Sequence, residues 1–406
     1  MAKKKVLIIS ANECSKAPFY PIYPTGELYI AKQLESKFQV RIMNLEFYNI
    51  SQFQRDFKQF QADITLFSVR NKINITPKLR SAVTYVKKQK KPFFVGGTAA
   101  TLFRKLAEEY LEIPPKQIIT GEFESLMHQI FPGIPNANNI EKVSMPDGSF
   151  LNYTEKELIN RDREFGIECK RGCPFNCIYC GNHLFSGKKI RKRKISTVVK
   201  NICDLYSHGI SNFFFVDAIF NYPRNYSYGV CVALSKKNLP RANFNAFIYP
   251  SNIGSRECEI WKKINLRITL GADGLSEKSL RGWNKPFTHK ELLSSLKILK
   301  KNRINYVLSL MLGSPGQTIS DIKKELNFLE KINPPRASIV VGAFSNPELD
   351  AIAGEKNKKD LPEGVFISPL VNIKELNKYI NSKRNLYEKR KWSVVNLTKK
   401  IIKKQK

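Results

Sequence analysis

The stretch Cys169-Lys170-Arg171-Gly172-Cys173-Pro174-Phe175-Asn176-Cys177-Ile178-Tyr179-Cys180-Gly181 carries four of the eight cysteines of this chain. Thiols gathered this densely on one loop point to ligation rather than to a disulfide framework. Cys173, Cys177 and Cys180, spaced x3 and x2, put three thiolates on a tight turn directly after an apolar strand. Three thiolates leave one iron of a [4Fe-4S] cluster open to a substrate or cofactor, whereas four would complete a zinc site or close the cluster. Zinc would need a fourth ligand, which His183 or Cys169 offers by spacing. Cys169 falls outside the x3–x2 register and reads as a buried strand cysteine. Cys14, Cys203, Cys231 and Cys258 have no ligand spacing and read as core or incidental.

Outward from this loop runs an alternation of strands and helices. Strands are predicted at Ile167 to Lys170, Phe213 to Val216, Phe244 to Ile248, Arg267 to Leu270, Tyr306 to Leu310 and Ser338 to Val341, with helical stretches between them. Six such units over 165–345 predict an open, partial (β/α)6 barrel with its site at the C-terminal strand ends. Upstream, apolar runs at Val6 to Ile9, Val40 to Asn44, Ile64 to Ser68, Phe93 to Val95 and Gln117 to Thr120 alternate with helical stretches at Gly26 to Phe38, Thr76 to Gln89, Ala99 to Tyr110 and from Glu122. That pattern predicts a parallel, doubly wound α/β domain of flavodoxin or Rossmann type over 1–135, with strand order 2-1-3-4-5 and ligands at the switch point between the first and third strands. Residues 136–164, rich in Asn with Pro146 and Gly148, read as a linker. Residues 346–406 read as a small C-terminal cap and basic tail with a helix from Val371.

The loops leaving the first set of strands are informative. The first runs from Ala11 to Thr25, the third begins Ser68-Val69-Arg70-Asn71, and the fourth is Gly96-Gly97-Thr98. A glycine pair at a strand end lets backbone approach a bulky ligand, and a serine on the neighbouring strand can hydrogen-bond it; the same glycines also suit a tight turn.

At about 150 residues per domain, 406 residues allow two or three domains and a substantial core. The 68 basic against 35 acidic residues give a net charge of +33, which permits a nucleic acid, a phosphorylated substrate or an anionic membrane surface as partner. The densest runs, Lys188 to Lys194 and Lys399 to Lys406, lack the interleaved aromatics of a base-stacking platform, and lysine spread over solvated faces gives the same sum. No apolar run approaches the ~18 residues of a membrane span, and the basic start Lys3-Lys4-Lys5 is followed only by Val6 to Ile9, so a cytoplasmic protein is expected.

Two segments carry a family resemblance. Arg171 to Gly181, including the aromatic before the last cysteine, resembles the radical SAM signature. The run Ile64 to Ser68, with Gly96-Gly97-Thr98-Ala99 and Gly121-Glu122-Phe123-Glu124, resembles the cobalamin-binding domain that precedes many radical SAM modules, over roughly residues 4 to 135. The resemblance implies a [4Fe-4S] cluster on Cys173, Cys177 and Cys180, with S-adenosyl-L-methionine (SAM) chelating the open iron beside Tyr179, Asp217 and Asp273. It implies cobalamin against Ser68, Val69, Arg70, Gly96, Gly97, Thr98 and Glu122. The Asp-x-His-x-x-Gly loop of classical cobalamin domains is missing: residues 10 to 26 contain no His, so cobalamin would lack a His lower ligand, and Arg70 would lie near its lower face. Leu270-Gly271-Ala272-Asp273-Gly274 resembles the fourth-strand Gly-x-Glu segment near the SAM ribose, with Asp in place of Glu. Asp217 also fits a plain strand-end Asp capping the following turn. Asn284-Lys285-Pro286 and Leu312 to Thr318 match further family segments, the latter as a structural turn with Thr318 opening a helix.

The activity implied is C-methylation at an unactivated carbon, through a 5′-deoxyadenosyl radical and a methylcobalamin donor. Radical cyclisation or rearrangement is the alternative within the family. A basic nucleic-acid-binding metal-cluster protein is the alternative of a different class, and it leaves the N-terminal Ser and Gly-Gly pattern unexplained. The chain has no Ser-His-Asp or paired-carboxylate signature, which radical hydrogen abstraction does not require. The expected partners are a small-molecule or peptide substrate and an electron donor such as flavodoxin or ferredoxin.

Overall fold

The computed structural model describes residues 3–11, 23–137, 139–152, 163–361 and 364–398. Most of the first loop, with Cys14, and the basic run Lys399 to Lys406 lie outside them. The chain forms two compact units: Met1–Cys173 with Gly181–Asp217 and Lys237–Asn243, and Pro174–Cys180 with Ala218–Lys236 and Phe244–Lys406.

In the first unit, Val6, Leu7, Ile8 and Ile9 are all fully buried, as a strand covered by helices on both faces must be. Strands β1 (Lys5–Ser10), β2 (Gln39–Asn44), β3 (Ile64–Ser68) and β4 (Phe93–Gly96) form a parallel sheet in the order β2-β1-β3-β4. This is the order expected for a switch point between β1 and β3. The fifth strand expected at Gln117 to Thr120 is reduced to one parallel bridge between Ile118 and Val95, because a 3-10 turn occupies Pro115–Gln117.

The helices follow Thr25–Leu34, Pro77–Lys88 and, between β2 and β3, Ile50–Phe60. That last helix buries Phe53, Phe57 and Phe60 on one face behind an Asn49–Gln52 capping box. The helix expected over Ala99 to Tyr110 is broken at Phe103 into Thr98–Leu102 and Arg104–Leu111. The helix expected from Glu122 is only a 3-10 turn, Phe123–Ser125, and a short turn of helix, Met127–Ile130. The segment read as a linker packs against its own unit: the ring of Phe150 is fully buried against Tyr23 and Phe165.

The second βα series begins with β5 (Phe165–Ile167), parallel to β8 (Asn212–Phe215), and with an antiparallel pair, β6 (Lys170–Arg171) and β7 (Arg191–Lys192). In the second unit β9 (Asn243–Ile248), β10 (Leu266–Gly271), β11 (Tyr306–Leu312) and β12 (Arg336–Val341) run parallel in chain order. A short antiparallel pair follows, β13 (Ala343–Phe344) with β14 (Val365–Phe366). The tail holds the helix Ile373–Ser382 near its expected place and then adds β15 (Ser393–Asn396), a seventh parallel strand joined to β12. Among the described residues no helix is long and apolar enough to cross a membrane.

Candidate active site

The C-terminal ends of β3 and β4 bring together most of the residues expected around cobalamin. Ser68 stands opposite Gly96 in the sheet register, and the Val69 N–H donates to the Gly96 carbonyl at 2.9 Å. Gly97 has φ +100°, and a Cβ there would lie 2.6 Å from the Val69 carbonyl oxygen, so only glycine fits. Gly96 differs: a Cβ there would meet nothing closer than 3.6 Å, an ordinary contact, so packing within the protein does not demand glycine at this position. Thr98 opens the helix that follows, and Arg70, two residues past β3, is exposed. The Glu122 carboxylate accepts from Arg191 at 2.7 Å and lies 3.5 Å from Arg171.

Arg171 is the centre of a buried ion-pair network leading into the cysteine loop. Its guanidinium donates to Glu124 at 2.6 Å and to Glu168 at 2.5 Å, while Arg193 meets the other Glu168 oxygen at 3.0 Å. Arg193 also donates to the carbonyls of Ile140 and Val143 at 2.7 and 2.6 Å and lies over the Tyr29 ring. Burial alone would lower the Arg171 pKa, but the Glu168 and Glu124 carboxylates more than reverse this and raise it. Glu124 is buried too, which would raise its pKa, and the adjacent Arg171 overrides that and lowers it.

Asp217, two residues past β8, is a fully buried carboxylate. One oxygen accepts from the Cys169 and Lys170 backbone N–H groups at 2.8 and 3.0 Å, and the other meets the buried Lys170 ammonium at 2.5 Å. These contacts pin the backbone just before Cys173. Gly172 completes the turn with φ +94°, and a Cβ on it would run into the Lys189 carbonyl at 2.2 Å.

The loop from Pro174 to Cys180 is held within the second unit by its backbone. Ile178 donates its N–H to the Trp283 carbonyl at 3.1 Å, and Asn284 and Asn346 donate side-chain N–H groups to the Asn176 and Ile178 carbonyls at 2.8 and 2.7 Å. Cys173 and Cys177 are buried, Cys180 is half-buried, and none is in a disulfide. The Cys177 sulfur lies 3.1 Å from the Tyr249 hydroxyl. Among the described residues no three His, Cys, Asp or Glu side chains are drawn to one point at metal-binding distance, the three thiols of this loop included. In its chemistry the donor set fits an iron–sulfur cluster: three thiols lie within one short stretch of chain, Cys173 to Cys180. Cys169 is fully buried, in the bend between β5 and β6.

Tyr179 and Asp273, both expected near SAM, meet directly: the phenol donates to the Asp273 carboxylate at 2.6 Å. A third group closes the cluster. The Lys285 ammonium, fully buried, lies 2.6 Å from the same Asp273 oxygen and 3.1 Å from the Tyr179 hydroxyl. Burial, then the charges of Asp273 and Cys177, push the Tyr179 phenol well above its ordinary pKa. Asp273 adopts φ +57°, left-handed backbone held by its N–H bond to the Ser309 carbonyl at 2.9 Å. Sequence reasoning marked Asn284-Lys285-Pro286 as a family segment but assigned Lys285 no role, because nothing in spacing reveals an ion-pair partner twelve residues upstream. Lys170, Arg171 and Glu168 were equally silent. The turn after β11 behaves as expected: the Gln317 side chain accepts from Gly313 and Ser314, and Thr318 caps the next helix.

Residues 167–329 match the radical SAM superfamily. An uncharacterized methyltransferase of Pyrococcus horikoshii is 21% identical over 213 residues, 52% of this chain and 46% of that protein. The hopanoid C-3 methylase of Methylococcus capsulatus is 20% identical over 319 residues, 72% of this chain and 61% of that protein. The chain thus spans about half to three-fifths of the length of these curated relatives. The fold matches that of TsrM from Kitasatospora setae, a radical S-adenosylmethionine methyltransferase solved with cobalamin and a [4Fe-4S] cluster bound, with a TM-score of 0.70, 16% identity, and coverage of 86% of this chain and 73% of that one. The x3–x2 cysteine loop lies inside the segment that matches the radical SAM superfamily.

Proposed function

We propose that this protein is a cobalamin-dependent radical SAM C-methyltransferase. The observation that carries the reading is the pairing of two features: the fixed Cys173, Cys177, Cys180 loop, and a first domain of parallel sheet whose β3 and β4 ends gather Ser68, Gly96 and Gly97. When bound, the cluster would supply the electron that cleaves SAM, and cobalamin would supply the methyl group. The chain's own contribution is position. The three thiols hold the cluster, Tyr179 and Asp273 line the SAM side, and Ser68, Val69, Arg70, Gly96, Gly97 and Thr98 form the cobalamin side, with domains at 1–135 and 165–345. Asp217, with both oxygens engaged by the backbone and by Lys170, serves the cluster loop by fixing its entry. Glu122 serves in the same way through Arg191 and Arg171.

The substrate is a small molecule or peptide, the electron donor a flavodoxin or ferredoxin, and the setting the cytosol. TsrM has also been solved with tryptophan and a SAM analogue bound, so small-molecule methylation on this fold has a precedent. The test is anaerobic reconstitution with iron, sulfide, SAM, cobalamin and reductant, followed by mass spectrometry. Formation of both 5′-deoxyadenosine and S-adenosylhomocysteine supports methylation; 5′-deoxyadenosine alone would indicate cyclisation or rearrangement instead. Residues 10 to 26 contain no His, so electron paramagnetic resonance of the Co(II) form should show no nitrogen splitting from an axial imidazole.

A further inference from the structure

Lys285 is the least explained charge beside the cysteine loop. A buried ammonium is costly unless its hydrogen bonds and a counter-charge are supplied, and here all are. It meets Asp273 and the Tyr179 hydroxyl, and three rings surround it, with centroids of Tyr249, Phe287 and Tyr179 at 4.7, 5.4 and 5.5 Å. Two of those rings lead to the cysteines. Tyr249 lies over the ammonium and places its hydroxyl 3.1 Å from the Cys177 sulfur. Tyr179 sits in the chain between Cys177 and Cys180, with its hydroxyl against the same ammonium. The Lys285 charge is therefore one aromatic ring, that of Tyr249, away from the Cys177 sulfur, and aromatic walls leave little water to screen it.

We propose that Lys285 is a positioning and electrostatic residue of the cluster loop: it locks Tyr179 and Asp273 in one arrangement and holds a fixed positive charge beside Cys177. Resting on the reading of this loop as a [4Fe-4S] site, the inference concerns what that site's surroundings do to it. A fixed positive charge near a cluster stabilises its reduced form, which carries one more negative charge, and raises its potential. Asp273 opposes this, so the two halves of one ion pair should move the potential in opposite directions.

The test is the midpoint potential of the reconstituted cluster, read by electron paramagnetic resonance during a redox titration without SAM, in the parent, Lys285→Met and Asp273→Asn. Lys285→Met keeps the side-chain volume and removes the charge; its potential should move to more negative values. Asp273→Asn keeps the shape and removes the opposing charge; its potential should move to more positive values. Shifts of the same sign in both variants, or no shift in either, would overturn the proposal, because loss of packing does not depend on the sign of the charge removed. Should Lys285→Met fail to fold or take up iron, Lys285→Gln, which keeps a hydrogen-bond donor toward Asp273 and removes the charge, takes its place: a shift to more negative values supports the proposal, and any other result overturns it. A parent that binds no iron overturns the cluster reading together with this one, whereas a parent with normal iron and unmoved variants overturns only the role of Lys285.

Discussion

The strand ends of the first sheet and the surroundings of the cysteine loop are built by opposite means. At the ends of β3 and β4 the shape comes from backbone: the Ser68–Gly96 register, the Val69 bond to Gly96, and a glycine at 97 that allows two backbone segments to touch. Around the cysteine loop it comes from buried charge: Asp217 with Lys170, Arg171 with Glu124 and Glu168, Asp273 with Lys285. A backbone-built site leaves an open face to a large ligand and tolerates side-chain change nearby. A charge-built site is rigid and intolerant, since removing one partner strands the other without water.

The largest effect tests the loop itself. Replacing Cys173, Cys177 or Cys180 by Ala should abolish iron incorporation, measured as iron per chain after reconstitution, whereas Cys169→Ala should leave it near the parent's. Equal iron loss in Cys169→Ala would break the register on which the site is drawn.

The buried pair before the loop comes next. Lys170→Met leaves the Asp217 carboxylate buried without its counter-charge and should cost about 3–5 kcal/mol of stability in denaturant unfolding. The double variant Lys170→Met with Asp217→Leu should recover much of that loss; a double variant no better than the single one would show that the pair is not what holds this entry.

The two glycines sharpen the contrast in the other region. Gly97→Ala forces a left-handed residue against the Val69 carbonyl and should destabilise by about 1–3 kcal/mol. Gly96→Ala should leave the unfolding midpoint nearly unchanged, because the added Cβ would meet Ile119 only at the ordinary contact distance of 3.6 Å, yet weaken cobalamin binding in a spectrophotometric titration where the cofactor approaches this strand end. If Gly96→Ala binds cobalamin as the parent does, the cofactor does not approach this strand end.

The charge network also has a pH signature. Glu124 has a depressed folded pKa, so its stabilisation is present above the ordinary carboxylate range of about 4.3 and is lost as pH falls through the lower folded value. Melting temperatures of Glu124→Gln should therefore fall less steeply than the parent's in that acid window, and parallel curves would count against the network. The smallest expected effect belongs to Arg70, which is exposed. Arg70→Ala should still bind cobalamin and form 5′-deoxyadenosine but make S-adenosylhomocysteine more slowly; an unchanged rate would leave Arg70 a surface residue.

What could be read from the sequence alone was local. The cysteine loop is a spacing, the βα alternation is a period, and the Ser68 and Gly96-Gly97 strand ends follow from where apolar runs stop, so all three were legible without coordinates. β15 was not, because Ser-Val-Val-Asn among basic residues is too short a run to announce a strand, and only its pairing with β12 makes it one. The partners of Glu122 and Asp217, Arg191 and Lys170, lie 69 and 47 residues away along the chain. The union of Tyr179 with Asp273 and Lys285 spans 94 and 106 residues. Ion pairing depends on distance in space and on exclusion of water, and neither is written in the order of residues along a chain; the tertiary structure alone decided which charges of this strongly basic protein are buried and paired.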